Sequence, residues 1–408
     1  MDALFVQILV GVSLHQLMRL LYISFWSIDN GLTHATIFPV LRYLIKEKLV
    51  LSITLTTPES KHNDVSFHGI EGVTWLPIYT AKKNVNESGF WQIITLLRGV
   101  GKHLRNHKLK YDMLWARGAV AGGVASLLSK VFSLPFGVES FEPHSDYMLE
   151  SGAWKDGQKY RIQKKQEARA MKNASILITV SSQYTEYLKS NGLTNVHTIP
   201  CSLDFDEMPF DSSIREEIRS SLPQVDNQWI VGIYVGKFGD IYYDDEFFDY
   251  IGRLLHSDEN YFQIILTPML DHAKRAFEKR GISAERFLIK KVPHSEIGAY
   301  LSAADIGFCP VRQTKSKKYM SPVKTGEYLA VGLPIIVTKD ISDDSQLIEE
   351  NEIGLVVDFE DENARTAIPD LRKLSSISER TQIQELGALY RDSKHNFKVY
   401  NQVFKALT

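Results

Sequence analysis

Short apolar runs alternate along the chain with amphipathic stretches and polar turns. In the first half the runs cover 20–26, 50–56, 72–79, 111–116, 135–141, 174–181 and 195–199. In the second half they cover 229–235, 261–267, 287–290, 306–309, 333–337 and 353–357. Runs of this length separated by helical periodicity indicate buried parallel strands joined by helices. The sequence therefore predicts an α/β protein with two doubly wound parallel-sheet domains.

Polar sequence near residue 205, CSLDFDEMPFDSS, separates the two halves. We therefore expect an amino-terminal domain over residues 18–205 and a carboxyl-terminal domain over 206–375. The amphipathic segment 376–408 is predicted to close the protein as a helix, from Ser376 to Leu407. Residues 1–17 contain an apolar run that is too short to span a bilayer. We interpret them as an extra helix or as the result of a start codon assigned too early, with interfacial membrane binding as the alternative.

Composition limits the function classes. The 408 residues are 44% hydrophobic and 24% charged with a net charge of -2, which fits a globular protein with two cores and gives no general attraction to nucleic acid. Cys201 and Cys309 have neither metal-binding nor redox spacing, and the Asp204–Asp206 pair is better explained as linker than as a metal site. We expect a cytoplasmic protein, and peripheral contact with the inner face of an anionic membrane is a second interpretation.

One stretch concentrates positive charge before a predicted helix, RQTKSKKYMSPVKTGEYLAVGLPIIVT (312–338). Ser321 is expected to cap the helix and Pro322 to occupy its first turn. Lys324 would then lie where the helix dipole is already positive, which favours a bound anion such as a diphosphate. Glu327, one turn further, could hold a hydroxylated group. The alternative is a solvated basic loop before an ordinary core helix.

Other strand-end turns offer weaker candidates. GKFGD places Gly236 and Lys237 after a buried strand, where backbone and ammonium can approach a phosphate. Gly31 follows the first strand, and His144 lies in the polar loop ESFEPHSDYM as a candidate for hydroxyl recognition or proton handling. The alternative for each of these residues is an ordinary turn residue with no role in binding. Basic segments at 98–110 and 155–172 are solvated faces or contacts for anionic lipid.

These motifs together resemble the group 1 glycosyltransferases of the two-Rossmann GT-B architecture, through YVGKFGD, VPHSEIGAYLSAADIGFCP, SPVKTGEYLAVGLPIIVT and IGLVV. The resemblance implies two domains facing an interdomain cleft, a UDP- or GDP-sugar donor, a glycan or lipid-linked acceptor, retention of configuration, a role in surface polysaccharide synthesis, and no metal or other cofactor. The site residues it implies are Lys237 with Ser321, Pro322 and Lys324 for the diphosphate, Gly236 beside them, Glu327 for the ribose, Val292, Pro293 and His294 for the base, and Gly31 and His144 for the donor sugar.

Two departures from the family pattern affect the expected chemistry. Many members carry a second glutamate eight residues before Glu327, where this chain has Tyr319, and a second lysine after the strand-one turn, where it has Tyr242 and Tyr243. The SPVK form resembles a variant in which Lys324 supplies the missing cation. We take His144, Lys237 and Glu327 as the catalytic candidates. The alternatives are a non-catalytic nucleotide-sugar-binding or scaffold subunit of a polysaccharide assembly complex, or a GT-B nucleotide-sugar epimerase or phosphorylase.

Overall fold

The protein is described by a computed structural model that covers residues 17–62, 65–80, 89–140, 142–226, 228–364, 366 and 372–407. It contains two parallel sheets, as the sequence predicts. The first has seven strands: β1 (Met18–Ser24), β2 (Val50–Ser60), β3 (Val73–Thr80), β4 (Met113–Arg117), β5 (Phe136–Ser140), β6 (Ile176–Thr179) and β7 (Val196–Thr198). The second has six: β8 (Ile230–Val235), β9 (Tyr261–Leu266), β10 (Phe287–Lys290), β11 (Ile306–Cys309), β12 (Ile335–Thr338) and β13 (Gly354–Val357).

Both sheets have the same doubly wound order. It is β3-β2-β1-β4-β5-β6-β7 in the first and β10-β9-β8-β11-β12-β13 in the second. Every strand pairing described is parallel. The strand order reverses beside the first strand of each sheet, between β1 and β4 and between β8 and β11. Such reversals open a crevice at the carboxyl ends of the strands, where ligands bind in this class of fold. The predicted fold class is confirmed.

Helices connect the strands. They are α1 (Phe38–Lys46, after a π-helical turn Thr33–Ile37), α2 (Gly89–His107), α3 (Ala119–Phe132), α4 (His144–Glu150), α5 (Gln158–Asn173), α6 (Ser182–Ser190), α7 (Ser212–Ser221), α8 (Asp245–Ser257), α9 (Leu270–Lys279), α10 (His294–Ala303), α11 (Val323–Ala330), α12 (Ser342–Glu350), α13 (Ile377–Arg391), α14 (Ser393–Asn396) and α15 (Lys398–Leu407). Short 3-10 turns lie at Lys108–Lys110, Phe205–Glu207, Ala284–Arg286 and Lys317–Tyr319. None of the described helices is long and apolar enough to cross a membrane.

The chain forms two compact units. The first unit is Met1–Gly137 with Lys398–Thr408, and the second unit is Val138–Phe397. The domain boundaries expected at residues 205 and 375 remain predictions, and most of the predicted extension 1–17 lies outside the described residues. Two local expectations were wrong. Residues 376–407 form three helices instead of one, and His144 begins a helix instead of lying in a loop.

Strand β8 shows how the sequence builds the core of the second unit. Its side chains alternate between the two faces of the sheet, so Val231 and Ile233 enter one apolar cluster while Ile230 and Tyr234 enter another. Because helices cover both faces, the strand is apolar throughout, as expected for a central parallel strand. This packing holds the carboxyl end of β8, and the glycine loop that follows it, in a fixed place.

A buried ion cluster fixes the amino-terminal end of β8. Asp305, just before β11, accepts hydrogen bonds from Arg215 Nη2 (2.6 Å), Arg219 Nη1 (2.9 Å) and the Val231 amide (2.8 Å). Burial disfavours its charge, but the surrounding arginines, Arg380 included, hold the pKa of Asp305 below its usual range. The aspartate of the ADIGFCP motif is therefore a structural residue that ties α7 to both central strands.

Candidate active site

The candidate site lies in the second unit at the strand-order reversal between β8 and β11. The glycine loop after β8 is Gly236–Asp240, and the basic loop after β11 runs from Arg312 to Met320 before α11. Both loops leave adjacent parallel strands at their carboxyl ends. The sequence motifs GKFGD and RQTKSKKYM therefore come together because of the topology, although they are far apart in the chain.

Helix α11 starts one residue later than its motif predicts. Pro322 is the residue before the helix, and no side chain caps the helix. Ser321 is committed elsewhere, since its Oγ accepts from the Cys201 amide at 3.1 Å and from Arg391 Nη1. The expected cap at Ser321 and the expected first-turn position of Pro322 were therefore wrong. What remains is a helix amino end without a side-chain cap, which is a favourable position for an anion.

Lys324 is the most unusual side chain of the site. It is 7% exposed, and its Nζ has no hydrogen-bond partner within the part of the chain that the structure describes. The ammonium lies 3.7 Å from the centroid of the Tyr242 ring and 4.4 Å from that of Tyr234. Burial lowers the pKa of Lys324 to about 8, against smaller opposing effects from Cys309 and Glu327. Two aromatic faces thus hold a buried cation to which no described carboxylate or carbonyl is hydrogen-bonded.

The glycine loop passes directly over this ammonium. Gly236 has φ +143°, and a Cβ added there would lie 3.0 Å from Lys324 Nζ. Only glycine allows both that conformation and that approach. The Tyr234 hydroxyl donates to the carbonyl of Lys237, which anchors the loop, while the side chain of Lys237 is exposed. An exposed ammonium is therefore carried by Lys237, the residue after the glycine that approaches the buried ammonium of Lys324.

Glu327 and His294 are in direct contact. Glu327 lies one turn beyond Lys324 on α11 and is 6% exposed, and its Oε1 is 3.0 Å from His294 Nε2. The hydrogen bond with Glu327 raises the pKa of His294 above its ordinary value, although partial burial opposes this. Pro293 is the cap residue of α10 and Val292 is half-buried before it. The structure thus joins two predicted candidates, one assigned to the ribose and one to the base.

The other charges of the basic loop have different surroundings. Arg312 pairs with Glu246 at 3.1 Å and lies over the Tyr243 ring, so it is a structural residue. Lys317 is 3% exposed, with its Nζ 3.4 Å from the centroid of the Tyr147 ring on α4. Burial lowers the pKa of Lys317 and raises that of Tyr147 to about 12. Lys315 and Lys318 are exposed. The alternative interpretation, a solvated basic loop, therefore describes only part of this loop, because Lys317 is buried while Lys315 and Lys318 are exposed.

His144 lies at the amino end of α4, in the same unit. Its backbone amide donates to Glu167 Oε1 at 2.8 Å, and its ring contacts Trp154 edge-on at a centroid distance of 6.0 Å. Burial lowers the pKa of His144, Glu142 opposes this, and Lys317 adds a smaller lowering effect. His144 is thus neighbour to the basic loop through Lys317. Gly31 lies in the first unit at an exposed position, and its predicted approach to a donor sugar remains a prediction.

Tyr319 occupies the position of the missing carboxylate and does not replace it chemically. Its ring packs between Tyr184 and Tyr187 at centroid distances of 5.2 Å each, and its carbonyl accepts from Ser181 Oγ at 2.8 Å. The side chain is 8% exposed. The position therefore anchors the basic loop to α6 and the loop before it.

Sequence reasoning missed the aromatic part of the site. Tyr234 lies in a strand that appears uniformly apolar, and Tyr242 was noted only as a residue standing where a lysine was expected. Their signal is the presence of hydroxyl-bearing aromatic residues on both sides of GKFGD. No group of three or more His, Cys, Asp or Glu side chains suited to a metal ion occurs among the described residues.

Comparisons with known proteins agree with the observed fold. Residues 270–393 match the model of the glucosyltransferase 3-like, C-terminal domain family. A comparison with curated protein sequences finds no match. The structure resembles sucrose-phosphate synthase from Thermosynechococcus elongatus, with a TM-score of 0.74 and 13% identity over 95% of this chain and 100% of the other.

Two further solved structures have the same architecture. Anabaena HepE in complex with UDP-glucose gives a TM-score of 0.67 and 13% identity, covering 95% of this chain and 100% of the other. The lipopolysaccharide outer core galactosyltransferase WaaB in its apo form gives 0.62 and 14%, with coverage of 95% and 100%. At such identities the likeness shows the fold alone, which is the GT-B glycosyltransferase fold.

Proposed function

We propose that this protein is a glycosyltransferase that moves a sugar from a UDP- or GDP-sugar to a glycan or lipid-linked acceptor. The observation that carries the proposal is the buried ammonium of Lys324. It lies under the glycine loop, near an uncapped helix amino end, and has no hydrogen-bond partner among the residues that the structure describes. A diphosphate bound there would supply the missing negative charge. The likeness to HepE, which is described with UDP-glucose, supports testing uridine nucleotides first.

The reaction requires stabilisation of the departing nucleoside diphosphate. The cations of Lys324 and Lys237 and the amide groups at the start of α11 would receive its oxygens, because preorganised charge in a desolvated site lowers the barrier by several kcal/mol. Glu327 would accept hydrogen bonds from the ribose hydroxyls, and Val292, Pro293 and His294 would contact the base. We include His144 as a contact of the donor sugar and retention as the stereochemical course. No metal is needed for this charge stabilisation.

The wider role is also part of the proposal. A cytoplasmic place of action and a role in surface polysaccharide synthesis belong to the proposal through the family resemblance. Peripheral contact with an anionic membrane is supported by the basic segment at 98–110, which could approach lipid-linked acceptors.

A thermal-shift panel of nucleotides and nucleotide sugars tests the binding step. A ligand at one hundred times its Kd stabilises the folded protein by about 2.7 kcal/mol. Lys237→Ala and Glu327→Ala should each remove most of the upshift given by UDP or GDP to the wild type. Lys315→Ala, which removes an exposed charge from the neighbouring loop, is the matched control and should retain it. An unchanged upshift in both site variants would refute the assignment.

A non-catalytic nucleotide-sugar-binding subunit is the second candidate, and the surroundings of Tyr319 favour it. The family carboxylate at this position contacts the sugar, whereas here an aromatic ring is packed away between Tyr184 and Tyr187. The two candidates differ in turnover. A transferase releases UDP or GDP from its donor when acceptor extract is present, whereas a scaffold subunit binds the donor and releases none. An epimerase would convert the donor without acceptor.

A further inference from the structure

A surface of the first unit combines exposed apolar side chains with lysines. Leu109 is 87% exposed in the 3-10 turn Lys108–Lys110, between two exposed lysines. On α3, Val131 is 73% exposed and lies next to the exposed Lys130. Leu127, 43% exposed, lies one turn earlier on the same face of α3. We call Lys108, Leu109, Lys110, Lys130 and Val131 the edge surface.

The fold brings these two segments to one edge. Helix α2 leads through the 3-10 turn into β4, and α3 leads into β5, so both helices end at the amino-terminal edge of the sheet. The Leu114 amide donates to the Pro135 carbonyl at 2.9 Å, which places the chain entering β4 beside the chain entering β5. A Cβ at Gly101 on α2 would lie 3.5 Å from Leu128 on α3, so the two helices are packed together. Both segments of the edge surface therefore lie at the amino-terminal edge of the first sheet.

The segment that carries the edge surface is predominantly basic. From Gly89 to Phe132 the chain contains seven lysines and arginines and one acid: Arg98, Lys102, Arg105, Lys108, Lys110, Arg117 and Lys130 against Asp112. Asp112 is already paired, since it accepts from Arg19 Nη2 at 2.8 Å. The lysines of the edge surface thus have no acid of their own segment available to them.

We propose that the edge surface docks on a bilayer that contains anionic lipid, with Leu109 and Val131 entering the interface and the lysines contacting the headgroups. Isolated apolar side chains flanked by lysines suit the interface of such a bilayer, because the acyl chains are apolar and the headgroup layer is negatively charged. A second copy of this chain fits less well, because a symmetric contact would place the lysines of one copy against those of the other. The inference deepens the proposed function by naming the surface, and its test does not depend on any nucleotide.

Vesicle sedimentation measures the binding directly. Full-length protein is mixed with phosphatidylcholine vesicles or with vesicles that also contain phosphatidylglycerol, and the apparent partition coefficient is determined. We expect binding only to the anionic vesicles. Lys108→Ser/Lys110→Ser/Lys130→Ser should weaken it about a hundredfold, since each lysine near an anionic surface contributes roughly a factor of five to ten. Leu109→Ser/Val131→Ser should weaken it about tenfold.

The matched control removes equal charge elsewhere. Lys155, Lys165 and Lys172 are exposed lysines in or beside α5, and their triple serine variant should bind like the wild type. If that variant loses vesicle binding and the edge-surface triple retains it, α5 is the membrane contact and the proposal is wrong. Wild-type protein that fails to bind anionic vesicles also overturns it, while nucleotide upshifts in the same preparation report separately on the proposed function.

A labelled variant locates the insertion. Both native cysteines, Cys201 and Cys309, are buried, so Leu109→Cys provides the accessible thiol for an environment-sensitive fluorophore. We expect a blue shift and at least a twofold gain in emission with anionic vesicles. Leu389→Cys, at a leucine 59% exposed in the second unit, is the control label and should not respond. Equal responses, or none at residue 109, would refute insertion at the edge surface.

Discussion

Replacing Lys324 by methionine should stabilise the free protein and abolish its response to nucleotide. The substitution removes a buried ammonium that has no hydrogen-bond partner among the described residues, and it leaves an unbranched apolar side chain of similar length between the Tyr234 and Tyr242 rings. Methionine fills such spaces with little strain. The position is therefore one at which stability and the proposed function oppose each other.

The magnitude follows from the pKa of the ammonium. A fall from 10.5 to about 8 on folding corresponds to about 3 kcal/mol of destabilisation at neutral pH. The two tyrosine rings offset roughly 1–2 kcal/mol of this through cation–π contact. Lys324→Met should thus be about 1–2 kcal/mol more stable than the wild type at pH 7, which raises Tm by roughly 2–6 °C for a unit of this size.

The pH dependence has a definite sign. Because the folded-state pKa of Lys324 is depressed, the unfolded chain binds more protons between about pH 8 and 10.5. The wild type should therefore gain stability relative to Lys324→Met as pH rises through this window, until the difference closes. A bound diphosphate favours the charged ammonium, so the UDP-induced upshift of the wild type should be larger at pH 7 than at pH 9.

Thermal and urea unfolding of both proteins at pH 7, 8 and 9, with and without UDP or GDP, measure these quantities. Lys315→Met is the control, because it removes an exposed lysine of the same loop and should change the free energy of unfolding by less than about 0.5 kcal/mol. A Lys324→Met protein that is less stable than the wild type at pH 7, or that retains the full nucleotide upshift, would contradict the role assigned to the buried ammonium.

Four further predictions follow from the same region. Tyr242→Leu, which removes a ring 3.7 Å from the Lys324 ammonium, should weaken UDP or GDP binding several-fold in calorimetry, whereas Tyr242→Phe keeps a ring face and should bind nearly as well. Glu327→Gln should lower the pKa of His294 in an NMR titration, and an unchanged value would show that the 3.0 Å contact does not set it. Gly236→Ala should weaken nucleotide binding without unfolding the protein, because its Cβ would lie 3.0 Å from the ammonium at a strained φ. Asp305→Asn should cost about 3–5 kcal/mol in urea unfolding because it leaves buried arginines without their counter-charge, and a loss below 1 kcal/mol would contradict the ion cluster.

The extent of what sequence can predict is visible in α11 and its surroundings. The spacing of apolar residues and the turn-forming residues between them predicted a helix near Lys324 and a buried strand from residue 333. Both predictions depend only on local turn chemistry and on apolar runs. Ser321 was misjudged as a cap, since Arg391, distant in sequence, competes for its hydroxyl. The contact of His294 with Glu327 and the rings around Lys324 depend on which strands are neighbours. Such contacts follow from topology, and local pattern does not contain them.

The return of the chain to its first unit has a consequence for how the protein can be divided. Helix α15 contributes Tyr400 and Phe404 to the core of that unit, and the Phe404 ring stacks on Trp115 at a centroid distance of 5.1 Å. The first unit is therefore built from two stretches of chain that are separated by the whole of the second unit. A single cut between the units cannot yield two intact pieces. A fragment that stops before residue 398 would leave the Trp115 side of the first core uncovered.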